Sequence, residues 1–132
     1  MELQVGVKIL LRNKEGKFLL LQKNPAKYPT IKKSDLLDIP GGRINIGTPL
    51  MENLKREIME ETKLELVKEP TLLTAQDILR SDKHVVRLTY LGEISGEPVL
   101  DEEHISYKWL TKEEVLSEPD LDPYSREVFS KL

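Results

Sequence analysis

The chain has 132 residues, with 20 Lys and Arg against 23 Asp and Glu, two histidines and no cysteine. This length predicts one domain over residues 1–132, and the lack of cysteine excludes a disulfide framework, a thiol nucleophile and a cysteine zinc site. No apolar run approaches the roughly 20 residues that cross a bilayer, and no basic stretch precedes an apolar one at the N-terminus. We therefore expect a cytoplasmic protein with no membrane partner. The net charge of −3 gives no reason to expect a nucleic acid partner.

Alternating apolar residues predict a first strand over 3–11, and a second strand over 17–23 follows a turn that ends in Gly16. We expect these two strands to form a hairpin. A loop over 24–35 and a short apolar stretch over 36–39 then lead to Gly41 and Gly42. Two adjacent glycines indicate a backbone that bends tightly or approaches another group closely.

A helix is predicted next, with Thr48 as N-cap and Pro49 at the first helical position. Leu50, Leu54 and Ile58 recur every four residues, so the helix should have one buried stripe and run to about residue 63.

The remaining segments mix strands and helices. Residues 64–79 are strand-like with an interruption at Pro70, and further strands are predicted over 85–94 and 106–110. Thr111 and Glu114 fit a capping box that starts a short helix, and Asp122 caps a last helix. Because strands and helices do not alternate regularly, the sequence predicts an α+β fold with a mixed sheet sandwiched between helices.

The densest chemistry lies on the first helix, where Glu57, Glu60 and Glu61 stand at positions i, i+3 and i+4 and share one face. Their charges repel each other, and they lie in the C-terminal half of the helix, where the macrodipole disfavours anions. A hard divalent cation such as Mg²⁺ or Mn²⁺ would relieve this repulsion. The alternative is a solvated acidic face with an i, i+4 ion pair between Glu52 and Arg56.

The segment from Gly42 through Arg56–Glu61 to Leu64 resembles the Nudix box, G-x5-E-x7-R-E-U-x-E-E-x-G-U, where U is aliphatic. Thr48 stands where the box has Glu, and Lys63 stands where it has Gly. We expect Thr48 to act as a helix cap instead. We expect Lys63 to take a left-handed conformation that costs about 1 kcal/mol relative to glycine.

The flanking sequence supports the same resemblance. Pro40–Arg43 is similar to the family's proline-glycine-glycine entry to the box, and Trp109-Leu110 followed by a capped helix is similar to its usual ending. The resemblance implies the Nudix fold, a mixed sheet flanked by helices. It also implies metal-dependent hydrolysis of a nucleoside diphosphate linked to another group, with release of a nucleoside monophosphate.

The resemblance also implies roles for individual residues. Glu57 and Glu61 would be the chief ligands of Mg²⁺ or Mn²⁺, with Glu60 as a further ligand and the carbonyl of Gly41 completing the set. Arg56 would pair with a helix glutamate and hold its position.

The general base stays open between Glu57 and an acid in the late loop. Glu103 is the first candidate in that loop and Glu102 the second. His104 follows them and is expected to play an ordinary loop role.

The substrate must be selected by residues outside the box. Arg43 is placed near the double glycine by the motif, while Arg87 could reach phosphate or ribose and Tyr28 could stack on a base. Nucleoside triphosphates, ADP-ribose and nucleotide sugars all remain open as substrates, as does a homodimer. An alternative is an inactive or weakly active Nudix-fold module that only binds a nucleotide.

Overall fold

The structure, a computed structural model, describes all residues from 1 to 132. Its strands are β1 (Glu2–Arg12), β2 (Phe18–Lys23), β3 (Leu37–Asp38), β4 (Gly41–Arg43), β5 (Thr71–Leu79), β6 (Lys83–Glu93) and β7 (His104–Leu110). Its helices are α1 (Leu50–Thr62), α2 (Lys112–Leu116) and α3 (Pro123–Ser130), and a 3₁₀ turn covers Lys33–Asp35. None of the helices has the length and apolar character needed to cross a membrane.

The strands form one mixed sheet whose main path runs β3-β2-β1-β6-β5. β1 pairs in parallel with β6 along its whole length, from Glu2↔Lys83 to Arg12↔Glu93. β4 pairs antiparallel with β1, β7 with β2, and β5 with β6. Parallel strands must be joined by a long crossover connection, and the connection between β1 and β6 contains α1.

The predicted hairpin over residues 3–23 forms only at its turn. β1 and β2 share one residue pair, Arg12↔Phe18, beside the turn in which Gly16 has a φ of 77°. The backbone groups of β1 are instead taken by β6 on one edge and β4 on the other, so β2 diverges and pairs with β7 and β3. The two strands are confirmed, whereas their predicted pairing is wrong for most of their length.

The sheet is covered by helices on both faces. One core cluster joins Ile9 of β1 to Leu54 and Ile58 of α1. A second cluster joins Leu10 of β1 to residues of α2 and α3, including Phe129. Neighbouring strand residues point to opposite faces, so β1 contributes to both clusters. This arrangement confirms the predicted α+β fold with its sheet between helices.

The later helices begin where the sequence predicts. Thr111 and Glu114 form the capping box of α2. The Asp122 side chain accepts a hydrogen bond from the Ser125 backbone N–H at 2.9 Å and so caps α3.

The strand-like stretch that starts at residue 64 becomes regular only at Thr71, where β5 begins. Before it, Leu66 forms an isolated bridge with Ile94. Pro70 has no N–H to give to a ladder, which explains why the strand starts after it.

Candidate active site

The start of α1 is fixed by a buried asparagine. Asn53 donates through Nδ2 to the carbonyls of Thr48 at 2.8 Å and Pro49 at 2.9 Å, and its Oδ1 accepts from the Asn45 N–H at 2.9 Å. The helix begins at Leu50 without a side-chain cap, so the prediction that Thr48 is the N-cap is wrong. Asn53 supplies these bonds from within the helix. The sequence signal for this role was a polar residue with low helix propensity beside the buried stripe.

Glu57 lies directly against the double glycine. A Cβ atom built on Gly42 would lie 2.9 Å from the Cδ and both oxygens of the Glu57 carboxylate, so no larger residue fits there without moving it. Gly41 has a φ of 137°, and its Cβ would lie 2.1 Å from the carbonyl oxygen of Val7. Both glycines are therefore required by the close approach of β4 to β1 and α1.

Glu61 is the most deeply buried acid of the cluster. It is 5% exposed and accepts the N–H of Gly41 at 3.3 Å to both carboxylate oxygens. Burial raises its pKa from 4.5 to about 8, and the neighbouring charge of Glu57 adds to the increase, although Lys8 and the Gly41 N–H oppose it. Burial also raises the pKa of Glu57, although the charge of Arg56 opposes the increase.

Arg56 is held among the acids. Its Nη1 lies 3.0 Å from Glu57 and 3.5 Å from Glu60, and its Nη2 donates to Asn53 at 3.0 Å. The alternative pair with Glu52 is not formed, because the guanidinium contacts Glu57, Glu60 and Asn53 instead. Its Nε is buried without a partner.

The site fits a hard divalent cation in its donor chemistry. All the candidate donors are oxygens, and Glu61 has no ion-pair partner within 4 Å. As the side chains stand, no three acidic or histidine groups converge closely enough to enclose a metal ion. Glu60 points outward, with its side chain 56% exposed and paired with Arg56. Thus Glu57 and Glu61 are brought together, and Glu60 would have to change its rotamer to join them.

The late-loop acids are anchored to the loop after β2. The Asn24 backbone N–H donates to the carbonyl of Glu103 at 2.8 Å, and its side chain donates to the carbonyl of Glu102 at 3.2 Å. Tyr28, in the loop after β2, lies near the Glu103 side chain. Burial, Glu103 and the charge of Glu61 together raise the pKa of this tyrosine to about 12. The structure therefore brings Tyr28 and Glu103 together within electrostatic reach of Glu61.

His104, the first residue of β7, contacts this loop through its side chain. Its Nδ1 lies 2.7 Å from Asp101, and its side chain is only 7% exposed. This agrees with the expected structural role in the loop.

A basic cleft of about 400 Å³ opens beside the acids. It includes Gly42, which touches Glu57, and its lining carries Tyr28 with the cations Lys8, Lys23, Arg43 and Arg87. A larger cleft of about 540 Å³ lies between Met59 and Leu66, but its lining carries two lysines balanced by two glutamates, and the three clustered glutamates line neither cleft. The chemistry of the lining therefore identifies the candidate site better than the volume does.

Lys8 and Asp38 were not singled out by the sequence. Lys8 Nζ donates to Asp38 Oδ2 at 2.8 Å and to the carbonyl of Ile39 at 3.2 Å. The available signal was a lysine and an aspartate within otherwise apolar strands, where buried charges require partners.

Comparisons with known proteins agree with this architecture. The family model described as NUDIX domain matches residues 2–132. By structure, the chain is similar to a MutT protein from Methanosarcina mazei Go1, with 28% identity and a TM-score of 0.84 over 98% of this chain and 92% of that one. Among proteins with curated functions, none matches the sequence significantly.

Two further solved structures share the fold. A MutT NUDIX hydrolase from Burkholderia pseudomallei is 23% identical, with a TM-score of 0.83 over 100% of this chain and 99% of that one. The E. coli ORF135 protein is 21% identical, with a TM-score of 0.80 over 98% and 88% of the two chains.

Proposed function

Because this chain belongs to the NUDIX family and is a Nudix hydrolase, we propose that it cleaves a pyrophosphate bond in a nucleoside diphosphate linked to another group. The reaction would require a divalent cation, Mg²⁺ or Mn²⁺, and would release a nucleoside monophosphate. Nucleoside triphosphates, ADP-ribose and nucleotide sugars are the substrate classes to test.

One observation carries the proposal. Glu57 and Glu61 are held against a double glycine, and burial raises the pKa of both carboxyls. Two neighbouring carboxylates in a site shielded from water lower the stability of the fold, and a divalent cation could offset their charge. This supports a site shaped for metal binding and not only for packing.

In this proposal Glu57, Glu61 and the carbonyl of Gly41 hold the cation, with Glu60 as a further ligand. When bound, the cation supplies positive charge that offsets the negative charge of the reacting diphosphate. Arg56 keeps the Glu57 carboxylate in place through its 3.0 Å contact.

Glu103 is the favoured general base. Tyr28 lies near its carboxylate, and the backbone bond from Asn24 at 2.8 Å fixes the loop that carries it. Glu102 is less well suited, because its side chain is 86% exposed and pairs with Lys27 at 3.4 Å. A box glutamate, Glu57, is the remaining alternative.

The basic cleft would receive the rest of the substrate. Arg43 is exposed at its rim, next to the glycines, and is suited to a phosphate. Tyr28 and Arg87 line the same cleft and could contact the base or ribose.

The two departures from the box do not remove a proposed ligand. Thr48 contributes its backbone carbonyl to Asn53, and Lys63 ends the helix with a φ of 60°. The proposal also includes a single domain over residues 1–132, a cytoplasmic location and small nucleotide substrates instead of nucleic acid. A homodimer remains open.

The direct experiment is a substrate screen in Mg²⁺ and in Mn²⁺ with the wild type, Glu57→Gln and Glu61→Gln. Glu52→Gln is the matched control, because Glu52 is an exposed acid on the same helix. We expect the wild type and the control to release nucleoside monophosphate only with metal, and both site variants to lose this activity. If the wild type cleaves none of the substrates, or the site variants cleave them equally well, the proposal is wrong.

The base assignment is tested separately with Glu103→Gln and Glu102→Gln. Loss of kcat in the first variant alone would support Glu103. Full activity of Glu103→Gln would contradict that assignment and favour Glu57.

A further inference from the structure

Gly6, in the middle of β1, has no structural reason to be glycine. Glycine in a strand interior weakens the strand and often indicates close approach of a ligand or another backbone. Gly6 is not among the residues with positive φ. A Cβ atom on Gly6 would meet only the carbonyl oxygen of Gly42, at 3.6 Å, which is an ordinary van der Waals contact. The fold would therefore accept a side chain here.

Three other glycines are required by the fold, because a side chain at each would collide with neighbouring atoms. A Cβ atom would lie 2.1 Å from Val7 oxygen at Gly41, 2.9 Å from Glu57 at Gly42, and 2.8 Å from Ile9 and Leu66 side chains at Gly92. These positions exclude a larger residue by contact within the protein. Gly6 faces open space instead, and that space is the basic cleft.

Two arginines flank this open position. Gly6 pairs with Arg43 of β4 on one side and with Arg87 of β6 on the other. Residues paired across neighbouring strands project to the same face of a sheet, so the two arginines rise on either side of a gap with a bare backbone at its base. All three residues line the cleft of about 400 Å³.

Arg87 is held rigidly on the far side of the gap. Its Nη1 lies 2.7 Å from Asp122 Oδ2, its guanidinium lies 5.5 Å from the centre of the Tyr124 ring, and its side chain is 14% exposed. On the near side, β4 carries Gly41, which pairs with Lys8 of the cleft and whose N–H donates to Glu61 at 3.3 Å. A ligand that extends from the acids to Arg87 must therefore cross Gly6.

We propose that Gly6 is a specificity-determining residue, the floor on which the nucleoside half of the substrate lies flat between Arg43 and Arg87. This inference rests on the proposed function, because it assumes a nucleotide whose diphosphate lies at the acids. A flat base or ribose can rest on a glycine backbone, whereas a Cβ atom would project about 1.5 Å into that space. Valine at this position would close the floor.

The test measures binding of AMP, GMP, CMP and UMP in the presence of Mn²⁺ by isothermal titration calorimetry. The variants are Gly6→Ala and Gly6→Val, and Ala75→Val is the matched control because it adds bulk to an exposed strand position outside the cleft. We expect the wild type to bind at least one nucleotide, Gly6→Ala to weaken it about tenfold and Gly6→Val more than about a hundredfold. The control should bind as the wild type does.

Two further readouts separate this role from a structural one. Inorganic pyrophosphate, which has no nucleoside, and Mn²⁺ alone should bind all variants equally. The melting temperature should stay the same or rise in Gly6→Ala, because alanine restricts the unfolded chain. If Gly6→Val folds poorly, the nucleotide affinity of Gly6→Ala still tests the proposal, because the fold accepts a Cβ atom there.

The inference is overturned if the wild type binds none of the four nucleotides, if both Gly6 variants bind them as tightly as the wild type, or if pyrophosphate and Mn²⁺ binding fall in parallel. Hydrolysis is measured in a separate assay. Nucleotide binding that depends on Gly6 without hydrolysis would contradict the proposed function but not the role of Gly6.

Discussion

Asp38 and Glu61 are both buried near Lys8, at 3% and 5% exposure, but their surroundings differ. Asp38 lies 2.8 Å from Lys8 Nζ and 3.7 Å from Lys23 Nζ, and it accepts a hydrogen bond from Ser125 at 3.1 Å. Burial alone would raise the pKa of Asp38, but the nearby cations outweigh it and hold the pKa well below 3.8. Glu61 has only the Gly41 N–H at 3.3 Å, and its pKa rises to about 8.

The difference separates a structural acid from a candidate functional one. A buried charge with cations and hydrogen bonds around it joins strands and helices and is satisfied within the protein. A buried charge without an ion-pair partner lowers stability, and such groups are concentrated at functional sites. We infer that Asp38 stabilises the fold and that Glu61 belongs to the candidate metal site.

The largest expected effect comes from Asp38→Asn. This change leaves the mostly buried Lys8 ammonium without its carboxylate, so we expect the free energy of unfolding to fall by about 3 kcal/mol. Urea denaturation at pH 7 measures this loss. A decrease below about 1 kcal/mol would contradict the structural role of Asp38.

The matched change Glu61→Gln should act in the opposite direction on stability. Because it removes an uncompensated buried charge, we expect the metal-free protein to gain about 1–2 kcal/mol at pH 8. Hydrolysis should fall by at least about a hundredfold. Urea denaturation in EDTA and a metal-dependent hydrolysis assay give the two values. A variant that loses stability and keeps activity would reverse the roles of the two acids.

The two acids should also give opposite pH dependences in the metal-free protein. The pKa of Glu61 is raised, so its folded form binds a proton more tightly than the unfolded chain does, and stability is lost as pH rises from about 4.5 to about 8. The pKa of Asp38 is lowered, so its contribution is complete above 3.8 and is lost as pH falls below that value.

Unfolding measured from pH 3 to pH 9 in EDTA checks both signs. The difference in stability between Glu61→Gln and the wild type should grow above about pH 4.5, and the difference between the wild type and Asp38→Asn should begin to narrow below about pH 3.8. Parallel curves for the wild type and Glu61→Gln would show that Glu61 carries no raised pKa.

The smallest expected effect concerns backbone strain at the end of the same helix. Lys63 has a φ of 60°, so Lys63→Gly should raise the free energy of unfolding by about 0.5–1 kcal/mol, which thermal denaturation can detect. Activity should not change. A loss of stability would mean that the Lys63 side chain, which donates to the Glu60 carbonyl at 3.2 Å, outweighs the strain.

Much of the fold could be predicted because its signals are local. The spacing of apolar residues along the chain predicts β1 and α1. Cap residues such as Thr111 and Asp122 predict where the short helices begin. Strand partners depend on contacts distant in sequence, so the pairing of β1 with β6 could not be read from the turn at Gly16. The prediction that Thr48 caps α1 was wrong for a similar reason, because the Asn53 side chain bonds the Thr48 and Pro49 carbonyls at the start of the helix.

The acid cluster could be predicted because i, i+3 and i+4 spacing decides which glutamates share a face. The spacing could not show that Glu60 points outward while Glu57 is partly buried and Glu61 is buried, because that depends on β4 lying against the helix. The sequence named Arg43, Arg87 and Tyr28 as separate candidate substrate contacts, but it did not show that they line one cleft. The position of Gly6 between Arg43 and Arg87 depends on the register of β4, β1 and β6, which the sequence does not show.

The central claim, that the uncompensated carboxylate of Glu61 belongs to a metal site, is tested most directly by Mn²⁺ binding. Titration of Mn²⁺ into the wild type, Glu61→Gln and Glu52→Gln, followed by the electron paramagnetic resonance signal of free Mn²⁺, compares a buried acid with an exposed one on the same helix. We expect equal binding by the wild type and Glu52→Gln and a loss of at least about tenfold in affinity for Glu61→Gln. Equal Mn²⁺ affinity in all three proteins would contradict it.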